Sequence, residues 1–290
     1  MNVMIDNRRK CNFDGLWGGV YSGAVVQGLA GGLPDVFGKI SHNGEGTIIN
    51  RSDLEKMHQI DFDNFPQLDM ICQNIQLMKK KEPEQPIIVI VNNPASTAAR
   101  MMERFFVQLI KDPDFIRELI QLVEKPIWRG VQYIIEAGVD IIWTPQPMLS
   151  ATCISKKHYQ NICRESTIKF NKKVKETGIR IIAHTCGNWN DRFDLAAEEY
   201  IDCIHVSEAN LTELKESIGQ KVSLMGQVPT GLLLNGNPEE VYDITLEQCI
   251  QAGKDGGFIL SPDCDVPPDV SLENIEAMVN AVKDAEVILF

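Results

Sequence analysis

From residue 86 onward, short β-branched apolar runs alternate with stretches of helical periodicity, and that alternation restricts the chain to βαβ units on a parallel sheet. The runs lie at 86–91, 139–143, 179–183, 203–206, 222–226 and 258–260. Helical periodicity fills 98–110, 115–137, 155–177, 191–199, 211–218, 238–252 and 272–284. Upstream, residues 12–19 read as a strand closing in a glycine-rich turn, and 20–50 as loops and short edge pieces with a β-stretch at 47–49. Ser52 with Glu55 reads as a capping box. Residues 65–81 form a helix on Leu68, Ile71, Ile75 and Met78, ending in Lys79-Lys80-Lys81 where cations suit the dipole. About seven strand–helix units result, which points to an α/β fold, a (β/α)8 TIM-type barrel, with residues 1–290 as a single domain. A doubly wound open sheet competes, but no Gly-x-Gly-x-x-Gly follows any candidate strand.

Composition narrows the partners. A formal charge of −12 lacks the basic footprint of a nucleic-acid surface and gives an anionic membrane nothing to attract. The longest apolar run, 87–91, is far shorter than the roughly 20 residues of a membrane span. The first ten residues carry no apolar segment of the kind a secretory signal needs. Eight cysteines without regular spacing do not look like a disulfide framework, so a reducing, cytoplasmic setting is expected.

Chemistry concentrates at strand ends. His184 and Cys186 close the run at 179–183, and on a strand positions i and i+2 share a face. Cys264 follows the run at 258–260, 78 positions after Cys186. One imidazole and two thiolates suit Zn2+ and leave a fourth position open for chemistry. The alternative is two inert buried thiols and a satisfied core histidine. In a barrel, Asn92-Asn93, Gln146, Ser207-Glu208, Gln227 and Asp263 would open on the same face. Asn188, Gln146, Gln227, Glu208 and Asp263 are the substrate-binding candidates, with turn roles as the alternative for Asn188 and Gln146. Asp263, Asp265 and Glu208 are candidates for a fourth ligand or for orienting the ligands. Cys72, Cys163 and Cys249 read as core, Cys11 and Cys203 have no evident partner, and Cys153 with His158 follows the run at 139–143. His205 could face the barrel mouth or the outer helices; His42 and His58 read as solvated.

The run Ala183-His184-Thr185-Cys186-Gly187-Asn188 resembles the His-x-Cys-Gly-Asn element of the uroporphyrinogen decarboxylase-like superfamily, in its zinc-dependent corrinoid methyltransferase branch. Leu224-Met225-Gly226-Gln227-Val228-Pro229 resembles that family's Gly-Asn-Val-x-Pro, with Gln227 in place of Asn. Residues 256–268, followed by Glu273-Asn274-Ile275, resemble its C-terminal signature. Weaker similarity runs back through 136–140 and Asn93-Pro94-Ala95 to Phe13-Asp14-Gly15. The resemblance implies a barrel in which His184, Cys186 and Cys264 hold zinc as metal-binding and catalytic residues. It also implies methyl transfer with methylcobalamin, a cobalamin-type corrinoid carried by a separate corrinoid protein, and a small-molecule methyl donor or acceptor. Members of that family begin with a helix and a strand ahead of the region matching Phe13-Asp14-Gly15, so this chain is expected to lack them, its barrel closed differently, closed by a partner, or incomplete.

Three readings stay open: a methyltransferase acting on a thiol or a methoxylated or methylated small substrate; a metal-free decarboxylase; and a non-catalytic barrel that binds a corrinoid or a partner. No Arg-rich N-terminal signature of the decarboxylases is present. The residues do not choose the methyl acceptor, and association with a second copy of the chain stays open.

Overall fold

The computed structural model describes residues 2–29, 48, 50–57 and 59–290. The chain enters through α1 (Asn2–Cys11), β1 (Leu16–Val20) and α2 (Ser22–Leu29), and continues with α3 (Pro66–Lys81), β2 (Ile87–Ile90), α4 (Pro94–Met101), α5 (Phe105–Lys111) and α6 (Pro113–Glu136). Next come β3 (Ile141–Pro145) and a short α7 (Lys156–His158), which runs through a π-helical turn (Tyr159–Cys163) into α8 (Arg164–Lys175). The remainder is β4 (Arg180–Asn188), α9 (Phe193–Ala196), β5 (Cys203–Glu208), α10 (Leu211–Ile218), β6 (Ser223–Val228), α11 (Thr230–Asn235), α12 (Pro238–Gly253), β7 (Phe258–Pro262) and α13 (Leu272–Leu289).

Among the described residues the seven strands form one sheet, wholly parallel and in sequence order β1 to β7. That order, with helices in the connections, is the (β/α)8-type architecture expected from the alternation. No ladder joins β7 back to β1 among the described residues. Phe13, just ahead of β1, packs instead with Val228, Leu233, Val241 and Met278, beside the last helix pair.

Period-two alternation gives the sheet its two faces. Val89, Ile142, Ile181, Ala183, Ile204, Val206 and Leu224 point outward into the core shared with the helices. Ile88, Ile90, Trp143, Ile182, Cys203 and Met225 point into the lumen and form a separate cluster. An aspartate ahead of every second central strand pins the register. Asp140 accepts the amide of Ile87 at 2.7 Å, and Asp202 accepts that of Ile181 at 3.0 Å. Lys79 pairs with Asp140, and Lys175 and Arg180 with Asp202. These bonds tie the starts of neighbouring strands together and leave the opposite ends for the loops that carry polar side chains.

Several boundaries differ from the sequence reading. The periodicity over 98–110 is split into α4 and α5, because Arg104 adopts a left-handed backbone (φ 57°). The cap near residue 52 belongs to Asn50: its side chain accepts from Ser52 N, and the Asp53 carboxylate accepts from the Asn50 amide, at the start of a short 3-10 helix, Arg51–Lys56. The helix expected over 191–199 shrinks to α9, and a helix, α1, precedes β1 where none was expected. Asn210 caps α10 and Lys79-Lys80-Lys81 ends α3, as the sequence indicates. Residue Ile48 makes only an isolated parallel bridge to Met102, while Thr47, Ile49, His42 and His58 lie outside the described residues. No helix among the described residues is long and apolar enough to cross a membrane.

Candidate metal centre

β4 carries His184 and Cys186 on its lumen face, and the turn after β7 brings Cys264 to them. One donor atom from each lies within 4.8 Å of the others, and the His184 Nε2–Cys264 Sγ distance is 4.0 Å. A tetrahedral zinc with ordinary Zn–N and Zn–S bonds holds such donors about 3.5–3.8 Å apart, so a small inward movement closes the three around one ion. His184 is buried, Cys186 half-buried and Cys264 exposed, so the cluster has a sealed back and an open front. Gly187 (φ +81°) turns the chain immediately after Cys186; a Cβ there would press on Thr152 Oγ1 at 3.1 Å and Ser150 Oγ at 3.3 Å.

The imidazoles are tightly held. His184 Nδ1 lies 2.6 Å from Nδ1 of His205, which is its register partner on β5. His205 Nε2 lies 2.8 Å from the Pro262 carbonyl and 3.3 Å from Ser261 Oγ. Trp143 stacks on His184 (5.4 Å between ring centres, 30°) and tilts over His205 (4.8 Å, 50°), with Trp17 meeting it edge-on at 5.2 Å. Burial lowers the His184 pKa to about 4, and burial followed by the neighbouring His184 lowers that of His205 to about 3. Burial pushes the Cys186 thiol up to about 11, reinforced by Cys264 and by Asp263 and Asp265. A neutral imidazole offers a free lone pair, and a divalent ion would supply the charge that ionises the Cys186 thiol.

The remaining sequence candidates divide by what their polar atoms do. Gln146 donates its backbone N–H to the His184 carbonyl at 3.0 Å, and its buried side-chain Oε1 has no protein partner. Gln227 spends both ends of its carboxamide on Ala209, accepting from the amide (3.2 Å) and donating to the carbonyl (2.7 Å). Asn188 accepts from Asn190 N through its side chain and ties its backbone to Ala151 and Thr152. Asp263 accepts from Thr230 N at 2.9 Å, and its carbonyl accepts from Ser207 Oγ at 2.9 Å. Glu208 ends β5, exposed and in register with Asn188. Among the described residues the only cluster arranged for a metal is His184, Cys186 and Cys264; Asp263, Asp265 and Glu208 do not join it.

Cys163, Cys203 and Cys249 are buried as core residues, Cys72 is half-buried and donates to the Tyr133 carbonyl, and all eight cysteines are free. Cys153 is exposed, and His158 bonds to Ser155 away from the centre. The sequence reading left the direction of His205 open, placed Ser207 among the polar strand ends without a role, and gave Trp143 none. The usable signal was register: a histidine on the next strand, level with His184, shares its face.

The chain is 24% identical over 216 residues to the methylcobamide:CoM methyltransferase MtaA of Methanosarcina barkeri, covering 73% of this chain and 62% of that protein. It is 26% identical to a methylated-thiol–coenzyme M methyltransferase of Methanosarcina mazei, covering 73% of this chain and 57% of that one. The chain thus spans about three-fifths of the length of these curated relatives. The fold of a solved methyltransferase from Methanosarcina mazei superposes with a TM-score of 0.75 at 20% identity, covering 97% of this chain and 83% of that one. A B12-independent methionine synthase from Shewanella sp. W3-18-1 is more distant, with a TM-score of 0.53 at 15% identity over 75% of this chain and 66% of that one. The model of the uroporphyrinogen decarboxylase (URO-D) family matches residues 38–285, most of the chain and every residue of the candidate centre, and the chain belongs to that family.

Proposed function

We propose that the chain is a zinc-dependent methyltransferase, one barrel domain over 1–290 working in a reducing cytoplasm, that moves a methyl group between a corrinoid protein and a thiol. The observation that carries this reading is the convergence of His184, Cys186 and Cys264 donors within 4.8 Å at the open end of the lumen. Relatives whose names specify methylcobamide, coenzyme M and methylated thiols support the choice of a thiol over a methoxylated substrate. When bound, zinc supplies the Lewis-acid charge that deprotonates a thiol near neutral pH.

The chain's own residues do the rest. His184 offers Nε2, while Cys186 and Cys264 give up their thiol protons to become ligands. Trp143 covers both imidazoles and keeps water from the back of the centre, so the incoming thiol approaches only from the Cys264 side. Gln146, whose Oε1 is unspent, is the best placed of the candidates to orient a substrate polar group. The methyl carbon then passes from the corrinoid to the thiolate sulfur: the C–S bond forms, and the cobalt–carbon bond breaks with its electron pair left on cobalt. Decarboxylation of an acidic tetrapyrrole fits less well, because Asp263, Asp265 and Glu208 make the mouth anionic.

Zinc stoichiometry and loss of the methyl–cobalt absorbance of free methylcobalamin with added thiols test the proposal. One zinc per chain and chelator-sensitive demethylation are expected. A chain without zinc, or demethylation that persists in the chelated protein, would overturn it.

A further inference from the structure

His205 is not a ligand in the reading above, yet both of its nitrogens are committed. The Pro262 carbonyl can only accept, so the 2.8 Å contact requires a proton on His205 Nε2. Ser261 Oγ, at 3.3 Å from the same nitrogen, is the longer of its two contacts. A neutral imidazole protonated at Nε2 has a bare Nδ1, which can only accept. At 2.6 Å from His184 Nδ1, one of the two nitrogens must donate. The proton therefore sits on His184 Nδ1, and His184 Nε2 is left as a lone pair directed toward Cys264.

We propose that His205 is a positioning residue for the metal centre, a relay running from the Pro262 carbonyl through His205 to His184 that fixes the tautomer in which His184 can ligate through Nε2. The proposal rests on the metal-binding reading above and adds to it a residue that touches no metal and no substrate. The same side chain joins both parts of the centre. It holds the ring of His184 on β4, and through Pro262 it holds the turn that delivers Cys264 two residues later. Ser207, the next lumen-facing residue of β5, fastens that turn a second time through the Asp263 carbonyl at 2.9 Å. Trp143 packs over both rings and opposes their rotation, so the relay keeps its sense. With its own nitrogens spent, His205 is unavailable as the fourth ligand, which leaves that position to the substrate.

Two measurements test the relay. Long-range 1H–15N correlation of the imidazoles in the zinc-free, 15N-labelled protein should show His184 protonated at Nδ1 and His205 at Nε2; a His184 protonated at Nε2 would overturn the proposal whether or not the protein binds zinc. Zinc affinity by chelator competition should fall roughly 10–100-fold in His205→Leu, the usual cost of losing a partner behind a metal-ligating histidine. His205→Asn places a carboxamide oxygen near the lost Nδ1 and should restore most of that affinity. Equal loss in the Leu and Asn variants, or parental affinity in a folded His205→Leu, would refute it. If His205→Leu does not fold, the tautomers of the parent protein decide. A parent that shows the tautomers but binds no zinc would refute the proposed function and leave the relay standing.

Discussion

The lumen cluster of His184, Cys186 and Cys264, open to water at Cys264, and the largely buried cluster of Tyr159, Arg164 and Glu199 outside the sheet are satisfied in opposite ways. Outside the sheet, Tyr159 donates to Glu199 at 2.5 Å, Arg164 pairs with the same carboxylate at 3.1 Å, and Asn171 donates to the Glu199 carbonyl at 2.9 Å. Arg192, beside Tyr159, is fully buried and donates to the carbonyls of Leu149 and Ile154. Every charge there meets its complement within the chain. In the lumen, the hydrogen bonds orient the rings and the turn but leave one nitrogen lone pair and two sulfurs pointing at one another. A buried polar group costs stability unless partnered, and the convergence of soft donors here supports the proposal that the place is kept for an ion. The first cluster holds the helices onto the sheet; the second, in the function proposed here, would receive an ion.

The largest expected effect breaks the symmetry between the two. Cys186→Ala and Cys264→Ala should each weaken zinc binding by more than the roughly 100-fold upper cost of disturbing a ligand's support, and should abolish methyl transfer. Equilibrium denaturation of the zinc-free variants should barely move. A variant that retains full zinc would remove that cysteine from the centre.

Glu199 sharpens the other half. Burial raises its carboxyl pKa to about 7, against the pull of Tyr159 and Arg164. Between the unfolded value of about 4.5 and this folded value, the folded chain binds the extra proton. Its contribution to stability is therefore complete below about pH 4.5 and is lost as pH rises through about 7, with a slope of at most about 1.4 kcal/mol per pH unit. Urea midpoints measured across that window should fall with pH, and Glu199→Gln should flatten the fall while zinc affinity stays unchanged. An identical slope in the variant would assign the titration elsewhere.

The smallest effect concerns Gln227. Because its carboxamide is closed on Ala209, Gln227→Ala should cost about 1 kcal/mol of stability, the worth of an ordinary hydrogen bond, and leave KM for the thiol as it was. A raised KM with unchanged stability would return Gln227 to the substrate.

How much of this was legible beforehand follows from what repeats. Strands such as 86–91 and 179–183 declare themselves because buried parallel strands need continuous apolar side chains, and Asn210 announces α10 because its cap is local. The break at Arg104 does not show, since nothing in the apolar spacing over 98–110 records a left-handed residue. In the centre, His184 and Cys186 were readable from a period of two, and Cys264 from its place after a strand. Gln227, Asn188 and Asp263 were not separable from substrate-binding residues, because a sequence does not say whether a polar atom is already spent on the backbone. His205 lay between these cases: only the pairing of β4 with β5 places it on the face of His184.

The same pairing carries a consequence for how the protein is made. His184 and Cys264 are separated by 80 positions, and β5 and β6 lie between their strands in the sheet. During synthesis, a chain that has emerged only as far as β6 offers an ion two donors from one strand, too few for a lasting hold. The third arrives when β7 docks, after the intervening connections have been ordered and the entropy of closing that long loop has been spent. Under the proposed function, metal capture would wait until β7 has docked, and a bound ion would act as a clasp across β4 to β7, holding the finished set of strands in place.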